Sequence, residues 1–519
     1  MRELLRKHLR FFLIATLAGV ALRLLFILRF PGVTTDSFVY GDIAKNWLQR
    51  GIYGLSGVND ISPTYIRLPG YPAFLAAVFA IFGMDHYRAV LMLQMFVDMG
   101  TCFLIADLAR RLISPRAARF AFLFAALCPF LANYVANALT ETWEVFFTAL
   151  ALDFAIIGLE AVHHSSVSVL PKSDEFGRAR VYSCRKARKK ARALASEGAD
   201  VGSNGFFQQP LRPWVGCGLA VGAATLLRPD GALLLFAIEA YLLAMLLRRP
   251  KDKTRTGVSA LHIFMSGLIV ALVSLATLVP WTVRNLHTFH EFQPLAPRYA
   301  NQENAFVPLG FNRWMRTWIV DYASVEDIYW AVPGNTVDAE KLPSRAFDSP
   351  EQREQTLQLL QDYNQAQQVT PELDARFAAL ASDRVHHSLF RYYVELPLMR
   401  IADMWLRPRT ETLPSDTRWW QFDDDPQWLT LTVCLGIINL VYLAAAFAGL
   451  IRGRFRPHLG LLLTFVILRS AFLGTLENPE TRYMLECYPL VIILAAALFQ
   501  GSSTRDSAPL GSPAGSAEG

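Results

Sequence analysis

Apolar residues in this chain are gathered into long runs and not alternated. Ten stretches stand out, at roughly 11–30, 88–109, 119–136, 141–160, 213–227, 231–247, 258–281, 427–450, 458–475 and 484–500. Several reach the ~20 residues a helix needs to cross ~30 Å of hydrocarbon. The pattern predicts an all-α polytopic membrane protein with about ten transmembrane helices. A shorter apolar run, YPAFLAAVFAIFG at 71–83, cannot span and reads as a helix lying in the interface. Between the seventh and eighth runs, 282–426 begins irregular and Pro-rich and then turns helical. EQREQTLQLLQDYNQAQQ (351–368) and PELDARFAALASDRVHHSLFRYY (371–393) carry helical patterning, which predicts a mainly helical domain outside the membrane. Trp419 and Trp420 precede the next run, where an aromatic belt would lie.

The remaining organisation follows from these runs. Residues 1–160 form an N-terminal membrane module whose first outer loop is 31–87. A basic insert occupies 161–212, membrane helices follow at 213–281, and the outer domain at 282–426 leads into the last membrane helices at 427–500. The tail 501–519 is rich in Gly, Ser, Pro and Ala and is expected to be disordered.

Charge orients the spans. Arg2, Arg6, Lys7 and Arg10 place the N-terminus in the cytoplasm. With ten alternating spans, the turns holding Arg110, Arg111, Arg116 and Arg119, then Arg248, Arg249 and Lys251, then Arg452, Arg454 and Arg456, all fall on that same side, as does the C-terminus. The insert 161–212 holds ten Lys and Arg against four acids, which accounts for the whole formal charge of +6. A pI near 9.0 therefore marks a cytoplasmic loop or an anionic-lipid contact, not a nucleic-acid partner. The inner membrane is the expected location, with 282–426 outside.

Composition agrees with the membrane reading. Of 519 residues, 53% are hydrophobic and 18% charged, with a mean hydropathy of +0.27, which excludes a soluble enzyme and a disordered scaffold. Six cysteines without a CxxC pair give neither a disulfide framework nor a zinc site. The apolar stretch after MRELLRKHLR is too long for a signal peptide and reads as an uncleaved first span.

The acids Asp36, Asp42, Glu141, Asp230, Glu477 and Glu480 all fall at or near the outer ends of spans, and Arg67, Arg228, Arg284 and Arg482 join them. Carboxylates and arginines facing one cavity suit a definite chemistry. A carboxylate can orient or deprotonate an acceptor hydroxyl, and guanidiniums can hold a departing phosphate through forked hydrogen bonds. Each group also has a structural reading. Asp36 could cap the helix that follows it, Glu141 could be a helix-start acid, and Asp230 fits a turn. Asp98, Asp153, Glu239 and Arg469 lie within spans, where charge is costly and functional by default, unless they form an internal pair such as Arg469 with Asp98. No ligand spacing specifies a metal, although isolated acids such as Asp36 leave a divalent cation open. His386 and His387 cannot share a helix face, and Asp423, Asp424 and Asp425 read as a solvated linker.

The ordered pieces ALRLLFIL, TTDSFVYGDIAKNWLQRGIY, RLPGYPAFLAAVFAIFG, LTETWEVFFTALAL, LLRPDGALLL, PWTVRN and ENPETRYMLECYPLVIILAA resemble the GT-C superfamily of integral-membrane glycosyltransferases. The pattern is most similar to the protein O-mannosyltransferase and lipid A aminoarabinose transferase group, over about 1–160, 213–300 and 427–500. The resemblance implies transfer of a sugar from a polyprenyl-phosphate donor to an acceptor hydroxyl of a glycan, lipid or protein on the outer face, usually with inversion. It implies Asp36 as the catalytic acid-base residue. Arg67, Arg284 and Arg482 become candidates for the lipid phosphate, and Tyr40, Glu141, Glu477, Glu480 and Tyr483 for the substrate pocket. Two rival readings stay open: a transporter or flippase of lipid-linked sugars using the mid-span charges, and a non-catalytic assembly partner using the outer helices.

Overall fold

A computed structural model of the protein describes residues 1–167, 211–248, 260–302, 305–421, 425–453 and 456–500. The fold is all-α and multi-pass. Among the described residues, seven helices are long and apolar enough to cross a membrane, or eight if one bent pair counts as a single span. The expected ten are therefore not reached. The runs at 213–227 and 458–475 form the 16-residue helices Arg212–Leu227 and Leu459–Gly474, which rise only about 24 Å. The run at 119–136 is broken into Pro115–Ala126 and Pro129–Val135, bent by 49°. Most of the basic insert 161–212 and all of the tail 501–519 lie outside the described residues.

The break has a local cause. Pro129 lacks an N–H and cannot continue the preceding ladder. Carbonyls at the end of the first half are also met by Arg23, which is fully buried on the first span. Its guanidinium donates to the carbonyls of Ala125 and Ala126, and its Nε donates to Asp98 at 2.6 Å. Asp98 thus pairs with Arg23 and not with Arg469. Removing one member of a buried pair leaves an uncompensated charge, so Arg23→Met is expected to cost about 3–5 kcal/mol. The double variant Arg23→Met/Asp98→Leu should recover part of that loss in thermal unfolding of the reconstituted protein.

A second connection joins chain segments that carry candidate chemistry. Gly32 donates its N–H to the Ala136 carbonyl at 2.7 Å and accepts from the Ala138 N–H at 3.0 Å. A Cβ at Gly32 would lie 1.8 Å from the Asn137 side-chain oxygen, so any larger residue here requires the Asn137 side chain to move.

The first loop is not wholly helical. After the helix Thr35–Arg50, a short antiparallel hairpin pairs Gly54–Ser56 with Ile61–Pro63, a feature the all-α reading did not foresee. Asp42 staples it by accepting from the N–H and hydroxyl of Ser56, both at 2.7 Å. The apolar helix in this loop runs over Gly70–Phe82.

The helices of the outer segment are Leu309–Arg316, Pro350–Ala366, Pro371–His387 and Leu396–Leu406. Pro at the first helical position, after Ser349 and Thr370 caps, starts the middle two. They close over their own apolar core of Trp314, Trp318, Leu360, Tyr363 and Phe377. Arg400, also buried, fastens this segment to the end of Leu459–Gly474 by donating to the carbonyls of Ile319 and Gly474.

Candidate functional site

Asp36 sits in the first turn of Thr35–Arg50, where the helix dipole favours negative charge. It does not cap that helix. Thr34 is the capping residue, and its N–H donates to the Ser37 hydroxyl oxygen at 3.0 Å. The Asp36 carboxylate is therefore free to face the pocket, and it is one-third exposed.

Two guanidiniums meet it there. Arg67 donates to Oδ1 at 2.9 Å, and an Arg482 nitrogen stands 3.6 Å from Oδ2. Residue 36 and the stretch around 480–483 thus share one pocket. Burial alone would push the Asp36 carboxyl up, but Arg482 and Arg67 outweigh it and hold it below the usual carboxylate range. Tyr40, under the Arg67 guanidinium at 5.7 Å, is pushed up to about 12 by burial.

Behind this mouth the charges continue inward as one network. Arg482 also pairs with Glu480 at 2.5 Å and approaches Glu141 at 3.7 Å. Tyr483 donates to Glu480 at 2.5 Å, and its ring lies 4.3 Å beneath Arg228. Arg228 reaches Glu141 at 3.8 Å, Glu144 at 3.6 Å and Asp230 at 3.3 Å. Asp230 pairs in turn with Arg469, which also holds Glu486, each at 2.9 Å. Four guanidiniums (Arg67, Arg228, Arg469, Arg482) thus face six carboxylates (Asp36, Glu141, Glu144, Asp230, Glu480, Glu486). The arginines are all paired with carboxylates of the same network.

Two expected residues stand elsewhere. Arg284 donates to the carbonyls of Thr64 at 2.8 Å and Tyr53 at 2.7 Å, and its guanidinium packs over Tyr53 and Trp281. It clamps the loop that carries Arg67 and is not brought to Asp36. Glu477 pairs with Arg298 at 2.8 Å and Arg316 at 3.5 Å, and so joins the segment after the helix Ala260–Phe289 to the outer helix Leu309–Arg316. Arg284→Lys, which keeps the charge but loses the fork, is expected to lower stability by about 1–3 kcal/mol. Thermal unfolding should register it, while affinity for polyprenyl phosphate stays within about twofold of the parent, well under the tenfold step of 1.4 kcal/mol.

Sequence reasoning passed over several members. Glu144 lies three residues after Glu141 on the same helix, so the spacing that joins their faces was readable. Asp230 read as a turn acid is an ion-pair partner of two arginines. Glu486, Tyr134 and Glu411 carried no signal in the sequence. Asn133 donates to the Thr412 hydroxyl at 2.6 Å, which seats the bent helix on the 410–412 loop. Thr481 donates to Glu411 beside Arg482. On this wall the Tyr134 hydroxyl, Glu141 Oε2 and Glu411 Oε2 are buried without hydrogen-bond partners. Such atoms cost about 1–3 kcal/mol each unless something polar meets them. A hydroxyl-rich ligand has the matching chemistry.

Both Asp36 oxygens face guanidiniums, and among the described residues no three His, Cys, Asp or Glu gather as a metal donor set. Three of the four mid-span charges are engaged, Asp98 with Arg23, Asp153 with Arg111 at 3.4 Å, and Arg469 as above, whereas Glu239 Oε1 is buried without a hydrogen-bond partner.

Comparison with known proteins bears on this arrangement. Residues 63–168 match the family model described as dolichyl-phosphate-mannose-protein mannosyltransferase, a stretch that includes Arg67, Tyr134, Glu141 and Glu144. No curated protein sequence matches the chain. Among solved structures, the oligosaccharyltransferase AglB of Archaeoglobus fulgidus, in complex with an inhibitory peptide and a dolichol-phosphate, is 14% identical with a TM-score of 0.46. That alignment takes in 95% of this chain and 50% of AglB, so the protein spans about half the length of that relative. ArnT of Cupriavidus metallidurans in the apo state is 14% identical with a TM-score of 0.35, over 94% of this chain and 77% of ArnT. The protein is a multi-pass membrane protein that resembles the GT-C glycosyltransferases, with the family match carried by residues 63–168.

Proposed function

We propose that the protein transfers a sugar from a polyprenyl-phosphate donor to an acceptor hydroxyl at the outer face of the cell membrane. The observation that carries this reading is Asp36 held between Arg67 and Arg482 at the mouth of a charge network. The family match over 63–168 supports the same chemistry. The donor phosphate takes over Arg67 and Arg482, which releases Asp36 toward the acceptor. The acceptor oxygen attacks the anomeric carbon from the face opposite the phosphate, the bond from that carbon to the phosphate oxygen breaks, and the configuration inverts. The acceptor proton passes to Asp36 and then to solvent. The lipid phosphate departs with one more negative charge, which the guanidiniums stabilise more strongly than the diester they first met. Tyr40, Glu480 and Tyr483 hold the pocket around these groups, while Glu141, Tyr134 and Glu411 meet sugar or acceptor hydroxyls. Glu477 keeps the outer segment over the site.

In the free protein Arg482 and Arg67 hold the Asp36 carboxyl low against burial, and giving them up to the phosphate makes it a better base for the acceptor proton. Its pH signature follows. The acid limb of kcat/KM is expected below the usual carboxylate range, and in Arg67→Gln it should move upward because burial then opposes ionisation with one less cation to offset it. A limb that does not respond to loss of Arg67 contradicts the assignment of that limb to Asp36.

The test of the whole reading is mass spectrometry of envelope glycans from a deletion strain, alongside release of polyprenyl phosphate by the purified protein. A missing sugar on a naked acceptor, with release restored by the purified chain, is the expected result. Unchanged glycans with no release refute it.

A further inference from the structure

The chain is helical without interruption from 389 to 406, a length of about 27 Å, and its polarity is reversed from that of a helix in water. The charged groups turn inward. Arg391 makes two hydrogen bonds to Asp348 at 2.6 and 2.9 Å. Arg400 is buried against backbone carbonyls, and Asp403 accepts from the Tyr322 N–H at 3.3 Å. The outward side carries Phe390, Tyr393, Val394, Leu398, Met399 and Leu406, and four of these six are more than half exposed. Glu395 is the exception on that side. A folded protein in water does not leave such a stripe uncovered.

The stripe is continuous with the outward apolar face of a neighbouring helix. The inner side of 389–406 packs on Leu459–Gly474 through Met404, Ile401 and Trp405, and Trp405 donates to the Ser470 hydroxyl at 3.2 Å. That apolar helix turns Ile467 (64% exposed) and Phe472 (42%) outward beside it. Leu459–Gly474 is itself too short to cross unaided, so the bilayer around it is met partly by whatever adjoins its end. Tyr393, 66% exposed, supplies an amphipathic ring of the kind that favours the headgroup level.

We propose that the stretch 389–406 lies in the headgroup–acyl boundary of the leaflet nearest the outer helices, with lipid as its partner. The outer segment is then not perched above the membrane but wedged into its surface by this helix. The inference stands apart from the reaction and does not depend on it.

Nitroxide labels placed by Phe390→Cys, Val394→Cys and Leu398→Cys test it in nanodiscs holding one copy each. The background carries Cys184→Ser and Cys434→Ser; the other cysteines among the described residues are buried. Gln355→Cys, exposed on Pro350–Ala366, serves as the water-facing control. The expected result is a ratio of oxygen to nickel-chelate accessibility several-fold higher at 390, 394 and 398 than at 355. Ratios equal to that of 355 overturn the proposal, because the stripe is then in water. Labels shielded from both reagents overturn it as well, because protein then covers the stripe. Should a variant fail to fold, a lipid-soluble diazirine applied to the native chain answers the same question. Labelled peptides must map to 389–406 and not to 351–368.

Discussion

Asp36→Asn is expected to lower sugar transfer by about 10²–10⁴-fold, the usual contribution of a positioned acid-base group. The substitution keeps volume and an oxygen that can still accept from Arg67, so the fold should lose no more than the about 0.3–1 kcal/mol a first-turn acid contributes through the helix dipole. Affinity for polyprenyl phosphate should rise at the same time. In the parent, that phosphate competes with the Asp36 carboxylate for Arg67 and Arg482, and the variant removes the competitor. A fall in kcat with tighter phosphate binding separates this role from a structural one, which would weaken both. Near-normal turnover would refute Asp36 as the acid-base residue.

The second large effect is expected at Arg482. Its guanidinium touches Asp36, Glu141 and Glu480 at once, and it lies over the ring of Tyr483 at 5.3 Å. Arg482→Gln leaves Glu480 without its cation, and leaves Asp36 and Glu141 with Arg67 and Arg228 alone. A stability loss of about 3–5 kcal/mol follows from stranding buried charge. Transfer should fall by about 10²–10³-fold in the fraction that folds, as for loss of one preorganised donor. Arg482→Lys separates the two effects. It restores the charge, and with it most of the stability, but not the fork that holds a phosphate and a carboxylate together. Thermal unfolding and single-turnover release of polyprenyl phosphate read the two quantities separately. If the Lys variant recovers turnover fully, the forked geometry has no part in the reaction.

How much of this was legible in the sequence depends on the kind of signal. Apolar runs gave the all-α membrane architecture, because span length is imposed by the bilayer itself. They do not give helix length, since a run such as 458–475 can be apolar and still form a helix of only 16 residues. Asp36, Arg67, Glu141, Glu480, Arg482 and Tyr483 were collected as polar groups near span ends, and the structure gathers them in one network. Arg284 had the same sequence signature and yet clamps two carbonyls. Whether an arginine meets a carboxylate or a backbone oxygen depends on tertiary approach, which no local pattern encodes. Arg23 escaped notice for a related reason. Its partners, Asp98 and the carbonyls at 125 and 126, lie 75 to 103 residues away. The reversed polarity of 389–406 was equally hidden, because an inward-facing arginine and an outward-facing one read alike until the neighbours are known.

The link at Gly32 carries a consequence for how the pocket moves. Asp36 hangs four residues beyond it, and Glu141 hangs five residues beyond Ala136 on the other strand of the same rung. The two acids come from regions a hundred residues apart, but any tilt of the first helix must drag both together.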